Sequence, residues 1–582
     1  MLKTLAKQIK QYKKASVLSI LFTALEVFMD VLIPVLMARI IDRGIESGDL
    51  KQVFIYGGLM LVCVLFGLFS GIMSGRFAAH ASTGFACNLR EAMFLNIQTF
   101  SFANLDKFST AGLVTRLTTD VTNLQMAYQM LIRMTIRAPF MLVLSLTMTL
   151  LICPKISVVF LAASLFLGVV LFNIIRIVRR VFDEVFKRYD DLNASVQENV
   201  TGIRVVKAFV REDFENTKFK KAAENLYRLF VKAEGTLAFN SPVMMTAVYG
   251  CILGISWMGA KLVVGGELTT GNLTSLFSYV MSILMSLMML SMVFVMMTMS
   301  VASGERIAEV LAETSSLTNG EHPVTEVKDG SISFRHVNFA YYQGEDKNVL
   351  NDINLEIKSG ETVGIIGGTG SSKTSLINLI SRLYDVTGGS VLVGGTDVRE
   401  YDLETLRDQV SVVLQKNVLF SGTILENLRW GNENATEEEC RRVCRIACAD
   451  DFIQAFPEQY NTRIERGGNN VSGGQKQRLC IARALLKKPK ILILDDSTSA
   501  VDTATDARIR KAFREEIPDT TKIIIAQRIS SVQEADHIVV LDEGRINGYG
   551  THEELLKSNE IYASIYENQT SGGGDFDQKG GE

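Results

Sequence analysis

Long apolar stretches dominate the first 300 residues of the chain, and polar segments separate them. Each stretch meets or exceeds the roughly 20 residues that a helix needs to cross a bilayer. The basic segment MLKTLAKQIKQYKK before the first stretch resembles the start of a signal peptide. That stretch is too long, however, and lacks a small-residue cleavage site, so we expect a retained span. The pattern predicts six transmembrane helices, at residues 15–41, 52–79, 126–151, 155–176, 238–263 and 272–299.

Basic residues are unevenly distributed between the connections. Lys and Arg are frequent in the long connections at 80–125 and 177–237, and scarce in the short ones at 42–51, 152–154 and 264–271. Lysines also precede the first stretch, at Lys3, Lys7, Lys10, Lys13 and Lys14. Because positive residues stay on the cytoplasmic side, we expect a multi-pass protein of the bacterial cytoplasmic (inner) membrane. Its N-terminus, both long connections and everything after the sixth span would be cytoplasmic. The long connections have helical patterns that extend the membrane helices.

Hydrophobicity drops near residue 305, and alternating strand and helix patterns follow. The 582 residues, of which 47% are hydrophobic and 21% charged, therefore divide into an apolar part and a soluble part. A net charge of −3 excludes the whole-chain basic excess that marks nucleic-acid binding. We expect a transmembrane domain at 1–305, a linker at 306–327, a soluble domain at 328–568 and a disordered glycine-rich tail at 569–582.

Three of the eight cysteines, Cys440, Cys444 and Cys448, follow one another at intervals of one helical turn. The segment is typical of an amphipathic helix with small apolar residues inward, and free cysteine commonly behaves as a small buried hydrophobe. A metal or redox cluster is the alternative. No disulfide framework is indicated, so we expect this part of the chain to lie in a reducing compartment.

The segment TVGIIGGTGSSKTSLINLI joins an apolar strand to a glycine-rich turn and a helix start. This is the context of a phosphate-binding loop, whose backbone N–H groups, here from residues 368–373, surround phosphate at a helix N-terminus. Lys373 would reach the β- and γ-phosphates, and the Thr374 hydroxyl would coordinate Mg²⁺. The usual last glycine is Ser372 here, which places a Cβ where backbone and phosphate approach closely. We expect this change to affect nucleotide affinity rather than binding itself.

Two further motifs accompany this loop. KKPKILILDDSTSAVD is an apolar strand ending in Asp495, which suits a Mg²⁺-binding carboxylate, although alone it would indicate only a buried strand. VSGGQKQR at 471–478 lies between the two nucleotide motifs. With six preceding spans, these motifs resemble the ATP-binding cassette (ABC) family, and the layout resembles an exporter half-transporter over the whole chain. The resemblance implies an α-helical membrane domain of exporter type, followed by an α/β P-loop nucleotide-binding domain with a helical subdomain.

The resemblance also implies roles for individual residues. Tyr341 would stack on adenine, with Tyr342 as the rival and strand packing as the alternative for both. Gln415 would touch Mg²⁺ and the attacking water, Glu465 would contact the membrane domain, and Ser499 to Asp502 would form the D-loop. The expected Mg²⁺ ligands are Thr374, Gln415 and Asp495. The expected ATP contacts are Tyr341, Gly368, Thr369, Gly370, Ser371, Ser372, Lys373, Thr374, Ser375, Ser472, Gly473, Gly474 and Gln475.

Two positions depart from the family pattern. Asp496 stands where the family normally has the Glu that orients the attacking water. Its side chain is one methylene shorter, so the carboxylate falls about 1 Å short, a misplacement that can cost on the order of a hundredfold in rate. Gln527 stands at the position of the family's switch histidine and is unable to take a proton. We expect catalysis at this chain's own site, with Asp496, Gln527 and Gln415, to be slow.

The signature sequence, by contrast, is intact, and cassettes of this family pair head to tail. We therefore expect a heterodimer in which Ser472, Gly473 and Gly474 complete the competent site of the partner chain. That partner would be a second ABC half-transporter with an intact Walker B Glu and a switch His. Homodimerisation is the alternative.

Charged residues occur within the predicted spans. Glu26 and Asp30 lie one helical turn apart in the first span, and Arg133 and Arg137 share that spacing in the third. Charges inside a membrane mark functional sites or pair with one another. We expect a structural set of salt bridges between these helices. The alternative is a pair of acids exposed to a cavity and attracting a cationic substrate.

By resemblance, short helices at the tips of the long connections dock on the cassettes, at roughly 104–113 and 205–216. Phe209 and Phe214 are the candidate anchors, and ordinary loop packing is the alternative. The sixth span carries methionines along one face: Met281, Met285, Met288, Met292, Met296 and Met299. We expect packing at this face, with promiscuous apolar binding as the alternative.

The expected function is ATP-driven export of amphipathic drugs or lipids, with ATP and Mg²⁺ as cofactors and hydrolysis mainly at the site shared with the partner. The expected partners are the second half-transporter, the lipid bilayer and an amphipathic small molecule, but no nucleic acid. A peptide exporter is one alternative, although no protease domain precedes the first span. A non-transporting ATP-gated channel or regulator is another.

Overall fold

A computed structural model describes residues 1–341, 348–497 and 501–571 of the chain. The described chain divides into two compact units. One unit comprises residues 1–99 and 108–314, and the other comprises residues 100–107 with the chain from Ser315 onward.

The first unit is helical throughout, because its sequence consists of long apolar stretches extended by polar helical segments. Two π-helical turns, Ile41–Ile45 and Arg116–Asp120, interrupt the regular helices. In chain order, and including α4, most of which belongs to the second unit, the helices are α1 (Leu2–Lys7), α2 (Lys13–Ile40), α3 (Leu50–Gln98), α4 (Phe102–Phe108), α5 (Thr110–Thr115), α6 (Val121–Ile152), α7 (Pro154–Thr201), α8 (Ile203–Ala208), α9 (Glu212–Ala238), α10 (Asn240–Val264) and α11 (Thr270–Ala312).

The prediction of six membrane helices is confirmed. Within the described residues, six helical segments are long and apolar enough to cross a bilayer, at Lys10–Ile45, Leu50–Gln98, Thr110–Ile152, Pro154–Ile174, Glu212–Val264 and Thr270–Phe294. The long connections are helical as expected, since α3 and α7 continue well beyond their apolar stretches. The helix α11 extends to Ala312, into the segment expected to be a linker.

Small side chains allow the membrane helices to approach closely. Ala15 on α2, Ala78 and Ala81 on α3 and Ile132 on α6 form one buried cluster. A second cluster joins Val27 and Val31 of α2 to the ring of Tyr279 on α11. In a bilayer, where apolar burial between helices contributes little, such close packing and interhelical hydrogen bonds hold the bundle together. Tyr279 contributes both, because its hydroxyl donates to the carbonyl of Val31 at 2.7 Å.

Arg137 pairs with both acids of the first span. Its guanidinium donates to the Glu26 carboxylate and, at 2.9 Å, to Asp30. The expected salt bridge between these helices is therefore confirmed for Arg137. Arg133 does not join it, and the Arg133 Nε is buried with no hydrogen-bond partner among the described residues.

The methionine face of α11 is exposed in this chain. Met285 is 62% exposed and Met292 is 60% exposed, and Met281, Met288 and Met296 lie on the same open side. Contacts within the chain therefore do not bury these methionines, and packing at this face, with promiscuous apolar binding as the alternative, stays a prediction. The side chain of Met299 lies outside the described residues.

The tips of the long connections differ from the two continuous short helices that were expected. Ser109, with φ +53°, separates α4 from α5, and Val210, with φ +51°, separates α8 from α9. A left-handed residue ends a helix because it turns the chain away from the helical path. Phe209 and Phe214 are 73% and 62% exposed, so loop packing within the chain does not hold them. Their role as docking anchors remains a prediction.

The second unit is an α/β domain. Its strands are β1 (Ile332–Phe339), β2 (Leu350–Ile357), β3 (Thr362–Ile366), β4 (Gly388–Val393), β5 (Thr396–Asp397), β6 (Val410–Val413), β7 (Gly422–Thr423), β8 (Arg463–Ile464), β9 (Ile491–Asp495), β10 (Thr521–Ile525), β11 (His537–Asp542) and β12 (Arg545–Gly550). Its further helices are α12 (Lys373–Ile380), α13 (Leu403–Gln409), α14 (Ile424–Arg429), α15 (Glu437–Ile446), α16 (Asp450–Gln454), α17 (Gly473–Leu485), α18 (Thr503–Glu516), α19 (His552–Ser558) and α20 (Glu560–Ser571). The helix α20 continues to Ser571, and the rest of the predicted tail lies outside the described residues.

The larger sheet has six strands in the order β12-β11-β3-β10-β9-β6, and all except β12 run parallel. Its strands are nearly continuous apolar runs because both faces are covered. Along β10, for example, Ile523 and Ile525 pack into one core and Ile524 into the other. The smaller antiparallel sheet has the order β2-β1-β4-β5 and adds its inner face to one of these cores. The expected fold class is confirmed.

The three closely spaced cysteines lie inside the domain. Cys440, Cys444 and Cys448 are all buried, on α15 and the turn after it. Burial raises the pKa of Cys444 to about 12, so its thiol stays protonated. Among the described residues no group of three or more His, Cys, Asp or Glu side chains could hold a metal. The interpretation as small buried hydrophobes is therefore confirmed.

Candidate functional site

The carboxyl ends of four parallel strands meet at one edge of the larger sheet. Pairing of β10 with β3 and β9 places the ends of these three strands side by side, and β6 lies next to β9. Chemically active residues follow each strand: the glycine-rich loop after β3, Asp495 and Asp496 at the end of β9, Gln527 after β10 and Gln415 after β6. In open α/β sheets this edge is where ligands bind.

The glycine-rich loop turns the chain from β3 into α12. Gly370, with φ +86°, and Ser372, with φ +73°, both adopt left-handed backbone conformations. Around Gly368 and Gly370 the space is open, since a Cβ built on either would meet no atom within 4 Å. The loop therefore forms a cradle whose floor is the N-terminus of α12, where backbone N–H groups and the helix dipole favour an anion.

Lys373 folds back over this cradle. Its ammonium donates to the carbonyls of Gly367 and Gly368 at 2.9 and 2.8 Å, and to the Ser371 hydroxyl at 3.2 Å. Burial lowers the pKa of Lys373, while the nearby carboxylates of Asp495 and Asp496 oppose that shift. A bound anion would supply the full negative partner that the ammonium lacks in this arrangement.

Asp495 is only 2% exposed at the end of β9. The Thr374 hydroxyl donates to its carboxylate at 3.0 Å, so two of the expected Mg²⁺ ligands are neighbours. Burial raises the pKa of Asp495, and the Thr374 hydrogen bond and Lys373 offset only part of that effect. A negative charge on the buried Asp495 carboxylate is costly in the absence of a cation. This environment suits a carboxylate that binds a metal ion.

Asp496 and Gln527, the two residues that depart from the expected catalytic pattern, contact each other. The Gln527 amide donates to the Asp496 carboxylate at 2.9 Å. The Asp496 backbone is left-handed, with φ +49°, and its N–H donates to the carbonyl of Ile525 at 3.0 Å. The sheet thus holds the backbone of Asp496 while Gln527 holds its side chain.

An aromatic cluster stands beside the cradle. Tyr341 is 37% exposed and makes edge-to-face contacts with Phe339 and Tyr384, with ring centroids 4.8 and 5.2 Å apart. The Tyr341 hydroxyl is 2.8 Å from the hydroxyl of Ser375 on α12, which ties the ring to the phosphate loop. This position suits stacking on a base, and Tyr342 lies outside the described residues. Tyr384 is a further member that sequence reasoning missed, because no local signal connects it to the strand of Tyr341.

The SGGQ sequence begins α17. Ser472 is the N-cap: its hydroxyl accepts from the Gln475 N–H, and the Gln475 side chain accepts from the Ser472 N–H at 2.9 Å. This reciprocal capping box fixes the start of the helix. Gly473 and Gly474 form the first turn, so no side chain obstructs access to the positive end of the helix dipole.

The remaining expected site residues lie at exposed turns. Gln415 is exposed just after β6, and Glu465 is exposed before a short 3₁₀ turn, where its N–H donates to Asn470. Ser499 and Ala500 lie outside the described residues, whereas Asp502 caps α18 by accepting from the Thr505 N–H at 2.9 Å. Ser497, which sequence reasoning missed, donates to the carbonyl of Val413 at 2.9 Å and so joins the ends of β6 and β9.

The residues at this edge fit a nucleotide and its magnesium ion. The cradle offers open space, a lysine and a helix N-terminus, while Thr374, Asp495 and Asp496 supply oxygen atoms beside it. Magnesium prefers such oxygen ligands and usually shares its shell with substrate phosphates.

Known proteins match both parts of the chain. The family models that match are the ABC transporter transmembrane region, over residues 16–288, and ABC transporter, over residues 350–499. The uncharacterised ABC transporter ATP-binding protein YfiB of Bacillus subtilis is 35% identical over 561 residues, which are 96% of this chain and 97% of that protein. The chain belongs to the ABC transporter family. As an ABC transporter it is a multi-pass membrane protein that binds ATP and couples an ATPase to transport.

This ABC transporter is also similar to a second curated protein and to a solved structure. The ATP-dependent lipid A-core flippase of Desulfotalea psychrophila is 32% identical over 466 residues, covering 78% of this chain and 80% of that protein. The structure of a bacterial Atm1-family ABC exporter with ATP bound superposes with a TM-score of 0.83 at 24% identity, over 96% of this chain and 99% of that chain. The fold is therefore that of an ABC exporter half-transporter.

Proposed function

We propose that this ABC half-transporter works in a heterodimer and that its own ATP site hydrolyses slowly. The observation that carries the proposal is the hydrogen bond from Gln527 to the Asp496 carboxylate. A water-orienting carboxylate must reach the water and keep an oxygen free to accept its proton. Asp496 is one methylene shorter than Glu, and the Gln527 amide holds one of its two oxygens and so fixes the direction of the carboxylate. Gln527 itself cannot accept the proton in turn. The site keeps the residues for binding nucleotide but not the pair suited to cleaving it.

The intact signature supports the second half of the proposal. Ser472 and Gln475 cap each other, so the start of α17 is ordered before any partner arrives. Such a preformed helix N-terminus is suited to a γ-phosphate presented by another cassette. A chain with a sound signature and a weak catalytic pair fits beside a partner with intact catalytic residues. The site of that partner would then carry most of the hydrolysis.

The proposed substrate is amphipathic, either a lipid or a drug, exported across the bacterial cytoplasmic membrane with the cassette in the cytoplasm. The distribution of basic residues between long and short connections supports the orientation. The similarity to a protein named as a lipid A-core flippase supports a lipid-like cargo. In this proposal Mg²⁺ would be held by Thr374, Asp495 and Gln415 together with the phosphates.

Restoring the catalytic pair tests the slow-site proposal directly. The full chain is purified with three variants: Asp496→Glu, Gln527→His and the double variant. Wild type alone should bind ATP but hydrolyse it slowly, and the double variant should gain on the order of a hundredfold in rate. Lys373→Ala is the control that removes nucleotide retention. Fast hydrolysis by the wild-type chain alone, unchanged in the double variant, would reject the slow site.

A transport assay tests the rest of the proposal. Inside-out vesicles carry this chain alone, or together with a half-transporter that has Glu after its Walker B Asp and a switch His. ATP-dependent uptake of an amphipathic dye should require both chains. Full uptake by this chain alone would favour a homodimer, whereas ATP hydrolysis by both chains without uptake of any cargo would favour a regulator.

A further inference from the structure

A cavity of about 580 Å³ opens between α2, α3 and α6 in the membrane unit. Its size lies within the range of small-molecule sites in proteins. Charged side chains line it inside segments that are otherwise apolar: Glu26 and Asp30 from α2, Arg76 from α3 and Arg133 from α6. Ionisable residues within membrane spans are rare and mark functional sites.

The charges at this cavity do not cancel. Arg137 donates to one oxygen of Glu26 and one oxygen of Asp30, and the second Glu26 oxygen is buried without a hydrogen-bond partner among the described residues. Arg76 and Arg133 make no hydrogen bond or ion pair with any other described residue. Two acids and two arginines line the cavity, and Arg137, which pairs with both acids from outside the lining, brings the charge around it to an excess of one positive.

Unsatisfied atoms point to a missing ligand. The Arg133 Nε is buried without a hydrogen-bond acceptor among the described residues. A buried polar group without a partner is costly, and more so when it is charged. A guanidinium with free donors is suited to the paired oxygens of a phosphate or a carboxylate.

The walls of the cavity differ in character. Glycines of α3 form the wall that faces the charges: a Cβ at Gly71 would lie 3.2 Å from the Glu26 carboxylate, and one at Gly75 would lie 3.5 Å from the Arg133 guanidinium. Leu68 and Ile72, on the same helix, line the cavity with exposed apolar side chains. A polar end beside an exposed apolar wall matches a molecule with a charged head and a hydrocarbon tail.

We propose that this cavity binds the anionic headgroup, a phosphate or a carboxylate, of an amphiphile through Arg76 and Arg133. The proposal rests on the proposed export function and specifies the class of its substrate. It also replaces the idea that Glu26 and Asp30 attract a cation, because Arg137 already neutralises them in part and, with Arg137 counted, the arginines outnumber the acids.

Three lipids with identical tails separate the possible headgroups. Native mass spectrometry of the full chain in a neutral detergent measures binding of dioleoyl phosphatidic acid, dioleoyl phosphatidylcholine and the cationic dioleoyl trimethylammonium propane. Phosphatidic acid should bind most tightly. Arg133→Gln and Arg76→Gln should each weaken its binding by about tenfold or more. The matched control is Arg176→Gln, at an exposed arginine of α7 outside the cavity, and it should leave binding unchanged.

Two more variants distinguish binding from damage to the fold. Arg133→Lys keeps the charge and should retain most of the binding. Glu26→Gln removes a negative charge and should strengthen the binding of phosphatidic acid, whereas a purely structural cavity would show no gain. Equal binding in wild type and Arg133→Gln, or tightest binding of the cationic lipid, would overturn the inference.

Inorganic phosphate and ATP complete the test. Displacement of phosphatidic acid by inorganic phosphate at similar concentration would support the anion site but overturn the requirement for a lipid tail. Retention of ATP by the same samples reports on the cassette. Loss of selective lipid binding with ATP retained would therefore reject the cavity inference alone, and loss of ATP retention with lipid binding intact would reject the proposed function instead.

Discussion

The serine in the phosphate loop leads to a prediction about both stability and affinity. Ser372 has φ +73° and ψ +23°, and its side chain makes no capping hydrogen bond at the start of α12. An L-residue in this left-handed conformation costs roughly 1–2 kcal/mol. Glycine adopts this conformation without that cost. It also raises the entropy of the unfolded chain, which lowers the free energy of unfolding by roughly 0.5–1 kcal/mol. Ser372→Gly should therefore stabilise the cassette by about 0.5–1 kcal/mol.

Thermal unfolding of the purified full chain measures this difference. For a domain the size of the cassette, a gain of that magnitude raises the melting temperature by about 1–4 °C. The same variant should bind ATP more tightly, because the phosphates can approach the backbone without meeting a Cβ. Isothermal titration with ATP checks the affinity.

Ser372→Ala is the matched control for this prediction. It keeps both the Cβ and the left-handed backbone, and it loses a hydroxyl that caps nothing. Its stability and affinity should remain near those of the wild type. If Ser372→Gly lowered the melting temperature, or if Ser372→Ala raised it equally, backbone strain would not be the property that distinguishes this loop.

Three further predictions follow from single contacts. Ser472→Ala removes an N-cap and Thr551→Ala removes the equivalent cap of α19; each should cost about 1 kcal/mol in thermal unfolding. Only Ser472→Ala should also lower the ATPase rate of the complex with a partner. An ATPase rate equal to that of the wild-type complex would show that the signature sequence takes no part in catalysis. Burial raises the pKa of Asp495 in the folded state. The contribution of this group to the free energy of unfolding is therefore complete below its ordinary pKa of about 3.9, and it is lost as the pH rises through the raised value. Asp495→Asn, without nucleotide, should therefore melt higher than wild type at pH 7, with the gap closing near pH 4; a gap independent of pH would contradict this. Arg137→Leu leaves Glu26 with an unneutralised charge and should destabilise the chain by about 2–3 kcal/mol, measured by thermal unfolding in detergent; a neutral effect would show that the pair does not hold α2 to α6.

Much of the nucleotide site could be predicted because its chemistry lies in short continuous motifs. The strand before the loop, the Cβ of Ser372 at the usual glycine position and the helix at Lys373 all follow from local sequence. The strand ending in Asp495 is equally local. The contact between Asp496 and Gln527 is not local, since the two residues follow neighbouring strands and are 31 positions apart in the chain. The motifs identify both residues, but they do not show that the Gln527 amide binds the Asp496 carboxylate.

The membrane helices show the same division. Apolar length alone determined the six spans, because a helix must be long enough to cross the hydrocarbon and must satisfy its own backbone hydrogen bonds there. Helical spacing placed Glu26 with Asp30 and Arg133 with Arg137, yet spacing is a property of one helix. Only the packing of α2 against α6 decided that Arg137 takes both acids.

The sequence by itself thus determined the spans, the order of the motifs and the family, since each depends on residues close together in the chain. The tertiary structure alone decided that the methionine face of α11 is not covered within this chain, and that Arg76 and Arg133 share a cavity with Glu26 and Asp30. Both features depend on which helices become neighbours. The sum of many weak packing interactions makes that choice, and no local pattern encodes it.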